Sequence, residues 1–258
     1  MRIGAHVRTA APLAAAAERD AEIVQLFLSA PQQFKGPKPR DDADELRGSE
    51  VGIYVHAPYL INVATPNNRV RHPSRQLLEK TVRAAEAIGA EGVIVHGGHV
   101  GEDDDIEVGF GHWRSTLERL ETTLPVLIEN TAGGNNAIAR HFDRIGRLWE
   151  VLDGVETPFG LCLDTCHTHA GGEEVAGSVE RIRALTGRID LVHLNDSKDA
   201  RGSGRDRHQN LGKGEIDLAA LVEVVRTAGA DVILETPEPD GNEHAGEIAF
   251  LRGQLDAD

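Results

Sequence analysis

At 258 residues, with 40% hydrophobic side chains, the chain has ample material for a full core. A net charge of −15 argues at first reading against a polyanionic partner, but such a partner needs only a local basic surface or bound cations. Two cysteines four positions apart, Cys162 and Cys166, exclude a disulfide framework. No apolar stretch approaches the length of a membrane span, the first residues MRIGAHV read as a strand without the pattern of a signal peptide, and no linker or low-complexity tract divides the chain. The expectation is one domain over residues 1–258, monomeric and cytoplasmic.

Short runs rich in Val, Ile and Leu then follow one another along the chain: RIGAHV (2–7), EIVQLFLS (22–29), VGIYVHA (51–57), GVIVHG (92–97), PVLIEN (125–130), FGLCLD (159–164), DLVHLN (190–195) and DVILET (231–236). Helical periodicity marks segments between and after them, at 74–90, 111–122, 142–152 and 217–230. In the first of these Leu77, Leu78, Val82, Ala85 and Ile88 recur at three- and four-residue spacing. Strands that are apolar throughout are covered on both faces, which predicts a parallel sheet. Eight strand-helix units in a chain of this size predict an α/β fold, a single (β/α)8 TIM barrel with its active site at the C-terminal mouth of the strands. An open doubly wound sheet is disfavoured because no run leads into G-x-G-x-x-G. Nor is GKGE (212–215) a P-loop, since glycine follows its lysine.

The residues closing the eight runs are His6, Ser29, His56, His96, Glu129, Asp164, His193 and Glu235. Seven of them are ionisable, and a barrel brings all eight to one mouth. Carboxylates and imidazoles crowded into a partly buried pocket repel or desolvate one another unless cations stand between them. Imidazole with carboxylate suits zinc, manganese or ferrous iron better than calcium or magnesium. With His167 in DTCH and the loop pair Asp206 and His208, the candidate ligands are His56, His96, Glu129, Asp164, His167, His193, Asp206, His208 and Glu235. Nine ligands exceed one ion's need. They suffice for three sites with one carboxylate shared, and clustered cations suit phosphodiester hydrolysis.

These motifs resemble the endonuclease IV family of zinc-dependent apurinic/apyrimidinic endonucleases, within the xylose-isomerase-like barrels. The resemblance runs through IGAHV, VHAPYLIN, IVHGG, LIENTAGG, LCLDTCHTHAGG, VHLNDSK, GSGRDRHQNLGKGEI and ILETP. It implies three Zn2+ per chain, with Mn2+ or Fe2+ an alternative at one site. The first would be held by His56, His96 and Glu129, the second by Glu129, Asp164, His193 and Glu235, and the third by His167, Asp206 and His208. It implies a double-stranded DNA substrate in which a metal-activated hydroxide, oriented by Glu129, attacks the phosphate 5′ to an abasic sugar, leaving a 3′-hydroxyl and a 5′-deoxyribose phosphate. It also implies 3′-repair phosphodiesterase activity, and it matches Tyr59 to a family tyrosine near the phosphate.

The chain departs from that pattern in LSAPQQFKGP, where Gln32 and Phe34 stand in place of an arginine and a tryptophan that enter the DNA. Three mouth loops are basic: 30–40 with Lys35, Lys38 and Arg40 (+3), 57–75 with Arg69, Arg71 and Arg75 (+3), and 195–214 with Lys198, Arg201, Arg205, Arg207 and Lys213 against three aspartates (+2). They carry +8, leaving −23 for the remainder. The phosphate track is therefore expected on Gln32, Phe34, Lys35, Arg69, Arg71, Arg205 and Arg207, with the acidic loop 101–107 outside it. His6 is read as supporting the ligands. Cys166 is read as a small buried thiol. His72, His112, His141 and His244 are read as exposed or locally bonded, while His99 and His169 lie near the mouth without a role. A metal-dependent sugar isomerase or epimerase is the alternative, but it needs only Glu129, Asp164, His193 and Glu235, leaving the other ligands without a task.

Overall fold

The computed structural model describes residues 1–241 and 243–256. Its strands are β1 (Ile3–His6), β2 (Ile23–Phe27), β3 (Gly52–His56), β4 (Gly92–His96), β5 (Val126–Glu129), β6 (Phe159–Asp164), β7 (Leu191–His193), β8 (Asp196–Ser197), β9 (His208–Gln209) and β10 (Asp231–Leu234). Strands β1 to β7 and β10 close a parallel barrel in the order β1-β10-β7-β6-β5-β4-β3-β2. The short β8 and β9 pair antiparallel in the loop after β7. Both strand faces are buried. Val24, Val55, Val93, Leu163 and Val192 point outward into a core completed by helix residues such as Leu78, Trp113, Leu148 and Leu221, and truncating one such leucine to alanine would cost about 2–5 kcal/mol.

Inward-facing residues recur every second position, so the barrel interior is layered. Ile23, Tyr54, Ile94, Leu127, Cys162, Leu191 and Ile233 form one apolar layer. Two residues further along each strand stand Gln25, His56, His96, Glu129, Asp164, His193 and Glu235. Below the apolar layer the interior narrows: a Cβ on Gly52 would lie 2.5 Å from Arg2 Nη1 and 2.6 Å from Glu91 Oε1. There Arg2 donates from Nε to Asp231 Oδ2 (3.1 Å) and from Nη1 to Glu91 Oε1 (2.9 Å), and Tyr54 Oη donates to Asp231 Oδ2 (3.3 Å). This polar cluster closes the end opposite the mouth.

The helices are α1 (Pro12–Arg19), α2 (Ala43–Arg47), α3 (Asn68–Ala87), α4 (Ile106–Leu117), α5 (Phe142–Leu152), α6 (Thr165–Gly171), α7 (Ser178–Thr186), α8 (Leu218–Ala228) and α9 (Glu243–Leu255). Two begin earlier than periodicity alone suggests. In α3 the Asn67 side chain accepts from Arg69 N, and Pro73, the sixth residue of the helix, removes the intrahelical bond that would otherwise reach Arg69 O. In α4 Asp105 accepts from Glu107 N at 3.0 Å, so the acidic stretch expected to be loop supplies an N-cap and a first turn. Among the described residues no helix is long and apolar enough to cross a membrane.

Candidate metal centre

Nine side chains expected from the sequence as ligands converge at the mouth in three groups: His56, His96 and Glu129; Glu129, Asp164, His193 and Glu235; and His167, Asp206 and His208. Within each group the donor atoms lie within 4.8 Å of one another. Glu129 is the pivot. Its Oε2 is 3.1 Å from His56 Nε2 and 3.2 Å from His96 Nε2, while Oε1 is 2.9 Å from His193 Nδ1 and 3.3 Å from His167 Nδ1.

Strand geometry delivers six of these residues, and the start of α6 delivers His167 directly after β6. Asp164 serves twice, since its Oδ1 accepts from His167 N at 2.5 Å as the N-cap of α6. Asp206 and His208 arrive on the loop after β7. Asp206 Oδ1 lies 3.2 Å from His167 Nε2 and 3.0 Å from His208 Nε2.

The imidazoles are oriented from behind. His56 Nδ1 donates to Ala57 O (2.7 Å), His167 Nδ1 to Asn130 O (3.0 Å) and His208 Nδ1 to Glu235 O (3.2 Å), which leaves each Nε2 lone pair turned into the site. His193 is reversed: its Nε2 meets Gln25 Oε1 at 2.7 Å and its Nδ1 faces Glu129 and Glu235. The buried His208 Nε2 has no hydrogen-bond partner despite its closeness to Asp206. Such an atom, among N and O donors of mixed charge, fits a divalent cation of the zinc class.

The electrostatics agree. Burial alone would raise the pKa of Glu129, yet His193, His96 and His167 hold it well below the usual carboxylate range. Glu235 is drawn down to about 2 against its burial, chiefly by His193. Burial pushes Asp164 up, with only part of that offset by His167 and His208. His193 and His167 are raised despite burial, and His208 reaches about 9 because Asp206 and Asp164 outweigh its desolvation. A pocket that gathers protons on its imidazoles to balance its carboxylates offers places where cations can take over that role. Cys162 and Cys166 also approach these groups. Burial pushes both thiols up to about 12, which favours the neutral form over a thiolate ligand.

A family model described as xylose isomerase-like TIM barrel matches residues 13–254. "Probable endonuclease 4" of Mycobacterium tuberculosis is 58% identical over 252 residues, covering 98% of each chain, and that of Mycobacterium marinum is 56% identical over 257 residues, covering 100% of each. The chain belongs to the endonuclease IV family. Endonuclease IV from Thermus thermophilus superposes with a TM-score of 0.85 at 26% identity, over 100% of both chains. A D-tagatose 3-epimerase-like protein (TM-score 0.77, 18% identity, 99% of this chain and 97% of the other) shares the fold alone. As an endonuclease IV the chain is a nuclease, hence a hydrolase.

Around the centre of this endonuclease, Tyr59 overhangs the candidate metal groups with its ring stacked on His96 at 5.5 Å and edge-on to Phe27 and His56. Burial and the nearby Glu235, Glu129 and Asp206 raise its pKa, so it stays a neutral phenol able to donate. Tyr59 N donates to Pro31 O (3.0 Å), tying its loop to the one carrying Gln32, Phe34 and Lys35, all exposed. Arg69 is exposed on α3, and no ion pair engages its side chain among the described residues. Arg71 is otherwise occupied, donating to Thr65 O (2.7 Å) and Asn68 Oδ1. Arg205 and Arg207 both reach Asp199.

Three supporting residues have no counterpart in the sequence reading. Gln25 is completely buried and joins His193, Glu235 and His6. Asn195 donates to Asp164 Oδ2 (2.7 Å) and accepts from Glu235 N (2.9 Å). Asn130 accepts from Asp164 N (2.7 Å). The position that Ser29 was expected to fill at the mouth belongs to Gln25, because β2 ends at Phe27. Inward periodicity carried two residues past Ile23 would have found it. His6 lies behind Glu235, 3.8 Å from its Oε1, as a supporting residue would. Of the remaining histidines, His72 is exposed on α3, His112 donates from Nδ1 to Ala64 O (2.9 Å), and His141 is 3.7 Å from Glu173. His244 is buried, bonded to Thr236 O at 2.8 Å, and lines a cavity of about 270 Å³ with Tyr59, His208 and Glu235. His99 lines a cavity of about 510 Å³ on the other side of Tyr59.

Proposed function

We propose that the chain, as one domain over 1–258 acting as a monomer in the cytoplasm, is a DNA-repair apurinic/apyrimidinic endonuclease. It hydrolyses the phosphodiester 5′ to an abasic site in double-stranded DNA, leaving a 3′-hydroxyl and a 5′-deoxyribose phosphate, and it clears blocked 3′ ends by the same chemistry. The supporting observation is the buried Glu129 carboxylate, shared by two of the three donor groups, with four imidazoles against its two oxygens, one of them His167 of the third group. Three Zn2+ in those groups, with Mn2+ or Fe2+ suited to one of them, would lower the pKa of water to about 7 and set positive charge against the phosphoryl oxygens.

The chain's own residues do the rest. Glu129 orients the attacking oxygen, with His56, His96 and His193 close against its two carboxylate oxygens. Tyr59 donates from its phenol toward the phosphate at the rim. The bond that forms joins the attacking oxygen to phosphorus, and the bond that breaks is P–O3′, whose oxygen leaves as the 3′-hydroxyl of the preceding nucleotide. Gln32, Phe34, Lys35 and Arg69 hold the duplex on one side, with Arg71 shaping its own loop, and Arg205 and Arg207 flank the other.

The test is incubation with a duplex carrying one tetrahydrofuran abasic analogue, which cannot undergo β-elimination. A hydrolytic nick leaving a 3′-hydroxyl is expected. An intact duplex, with sugar isomerisation or epimerisation detected instead, would overturn the reading.

A further inference from the structure

Asp206 is unlike the other ligands of the proposed third metal group. His167 is buried on α6 and His208 is pinned through its ring to Glu235 O, whereas the Asp206 side chain is 52% exposed on a segment entered through two glycines of positive φ, Gly202 and Gly204. Nothing in that segment's own conformational preference would hold a carboxylate in place. Its neighbours do. Arg207 donates from Nε to Asp199 Oδ2 (2.6 Å) and from Nη2 to Asp199 Oδ1, and Arg205 Nη1 lies 3.3 Å from the same Oδ1. The side chains on either side of Asp206 therefore end on one carboxylate, while Asp206 itself leaves the chain toward His167 and His208.

Asp199 is a firm anchor. It is only 9% exposed, its N–H donates to the buried Ser197 Oγ (3.2 Å), and that hydroxyl donates back to Asp199 O (3.0 Å). Lys198 N donates to Arg207 O (2.9 Å), carrying on the ladder of β8 and β9. Exposed ion pairs usually contribute little, but a two-pronged arginine contact on a nearly buried carboxylate is the geometry in which they do. We infer that Asp199 is a positioning residue: by gripping Arg205 and Arg207 it fixes Asp206 for metal binding.

This rests on the reading of His167, Asp206 and His208 as a metal group. The test is competitive zinc titration of the full chain against a colorimetric chelator, with zinc counted by elemental analysis. Asp199→Asn and Arg207→Gln should each weaken the weakest of three zinc ions about 10–100-fold and leave the other two unchanged. The double variant should be no worse than Asp199→Asn alone, because that substitution already removes the contact that Arg207→Gln removes. Asp206→Asn marks the loss of a ligand itself. Three zinc ions held with wild-type affinity in Asp199→Asn and in Arg207→Gln would overturn the positioning role and leave the three-metal reading intact. Fewer than three in the wild-type protein would overturn both.

Discussion

His193 turns its Nε2 to the Oε1 of Gln25, 2.7 Å away inside the barrel, and so presents its Nδ1 to Glu129 and Glu235. The same glutamine donates from Nε2 to Glu235 Oε1 at 2.6 Å. One neutral side chain thus orients a candidate ligand of each charge type. Replacing it with leucine would leave the His193 Nε2 site without an acceptor and free the ring to turn. Gln25→Leu should weaken zinc at the Glu129, Asp164, His193 and Glu235 group about 10–100-fold. Competitive zinc titration checks this, and unchanged affinity would count against it.

The mouth was legible because a strand's side chains repeat every second residue. Tyr54 and His56, Ile94 and His96, or Leu127 and Glu129 read alike as an apolar layer followed by a ligand. Gln25 escaped because an amide carries no metal signature and because the apolar run in β2 continues past the point where its barrel pairing stops. The start of α4 escaped because capping by Asp105 is a hydrogen-bond event that the periodicity of apolar residues does not record. The histidine residues show the same limit: His244 and His72 are equally isolated in sequence, and only packing seats the first beside the site.

Phe34 is 50% exposed on the loop tethered to Tyr59. It can wedge into a base stack, unstacking being offset by new contacts. Phe34→Ala should narrow the preference for abasic over intact duplex by roughly tenfold, about 1.4 kcal/mol, with zinc content unchanged. Equal discrimination by both proteins would assign lesion finding to another loop.

The arginines after β3 should differ. Arg69 is free to meet a phosphate, so Arg69→Ala should flatten the slope of log affinity against log salt by about 0.9. Arg71 is engaged with Thr65 and Asn68, so Arg71→Ala should weaken binding through loop disorder while changing that slope much less. Equal slopes for Arg69→Ala and the wild type would put the DNA elsewhere.

At the closed end of the barrel, burial would raise the pKa of Asp231, but its hydrogen bonds from Arg2 hold it below the ordinary range. A depressed folded-state pKa gives stability that is present above the unfolded value of about 3.9 and is lost as pH falls through the folded one. Asp231→Asn should therefore cost about 1–2 kcal/mol at pH 7, the pair being only partly buried, and the gap from wild type should begin to narrow below about pH 4 and close as pH falls through the depressed folded-state value. Urea unfolding of both proteins across that range is the check. A gap independent of pH would remove the ion pair from the explanation.

As the carboxylate shared by two of the proposed metal groups, Glu129 is proposed to orient the attack on phosphorus. Single-turnover incision of the tetrahydrofuran duplex by Glu129→Gln, with DNA affinity measured in parallel, tests it most directly. The substitution keeps the side chain's shape but removes the charge that His56, His96 and His193 surround. The rate should fall by roughly 10³-fold or more, about 4 kcal/mol, while DNA affinity is largely kept. A variant that cuts at close to the wild-type rate would remove Glu129 from the attack.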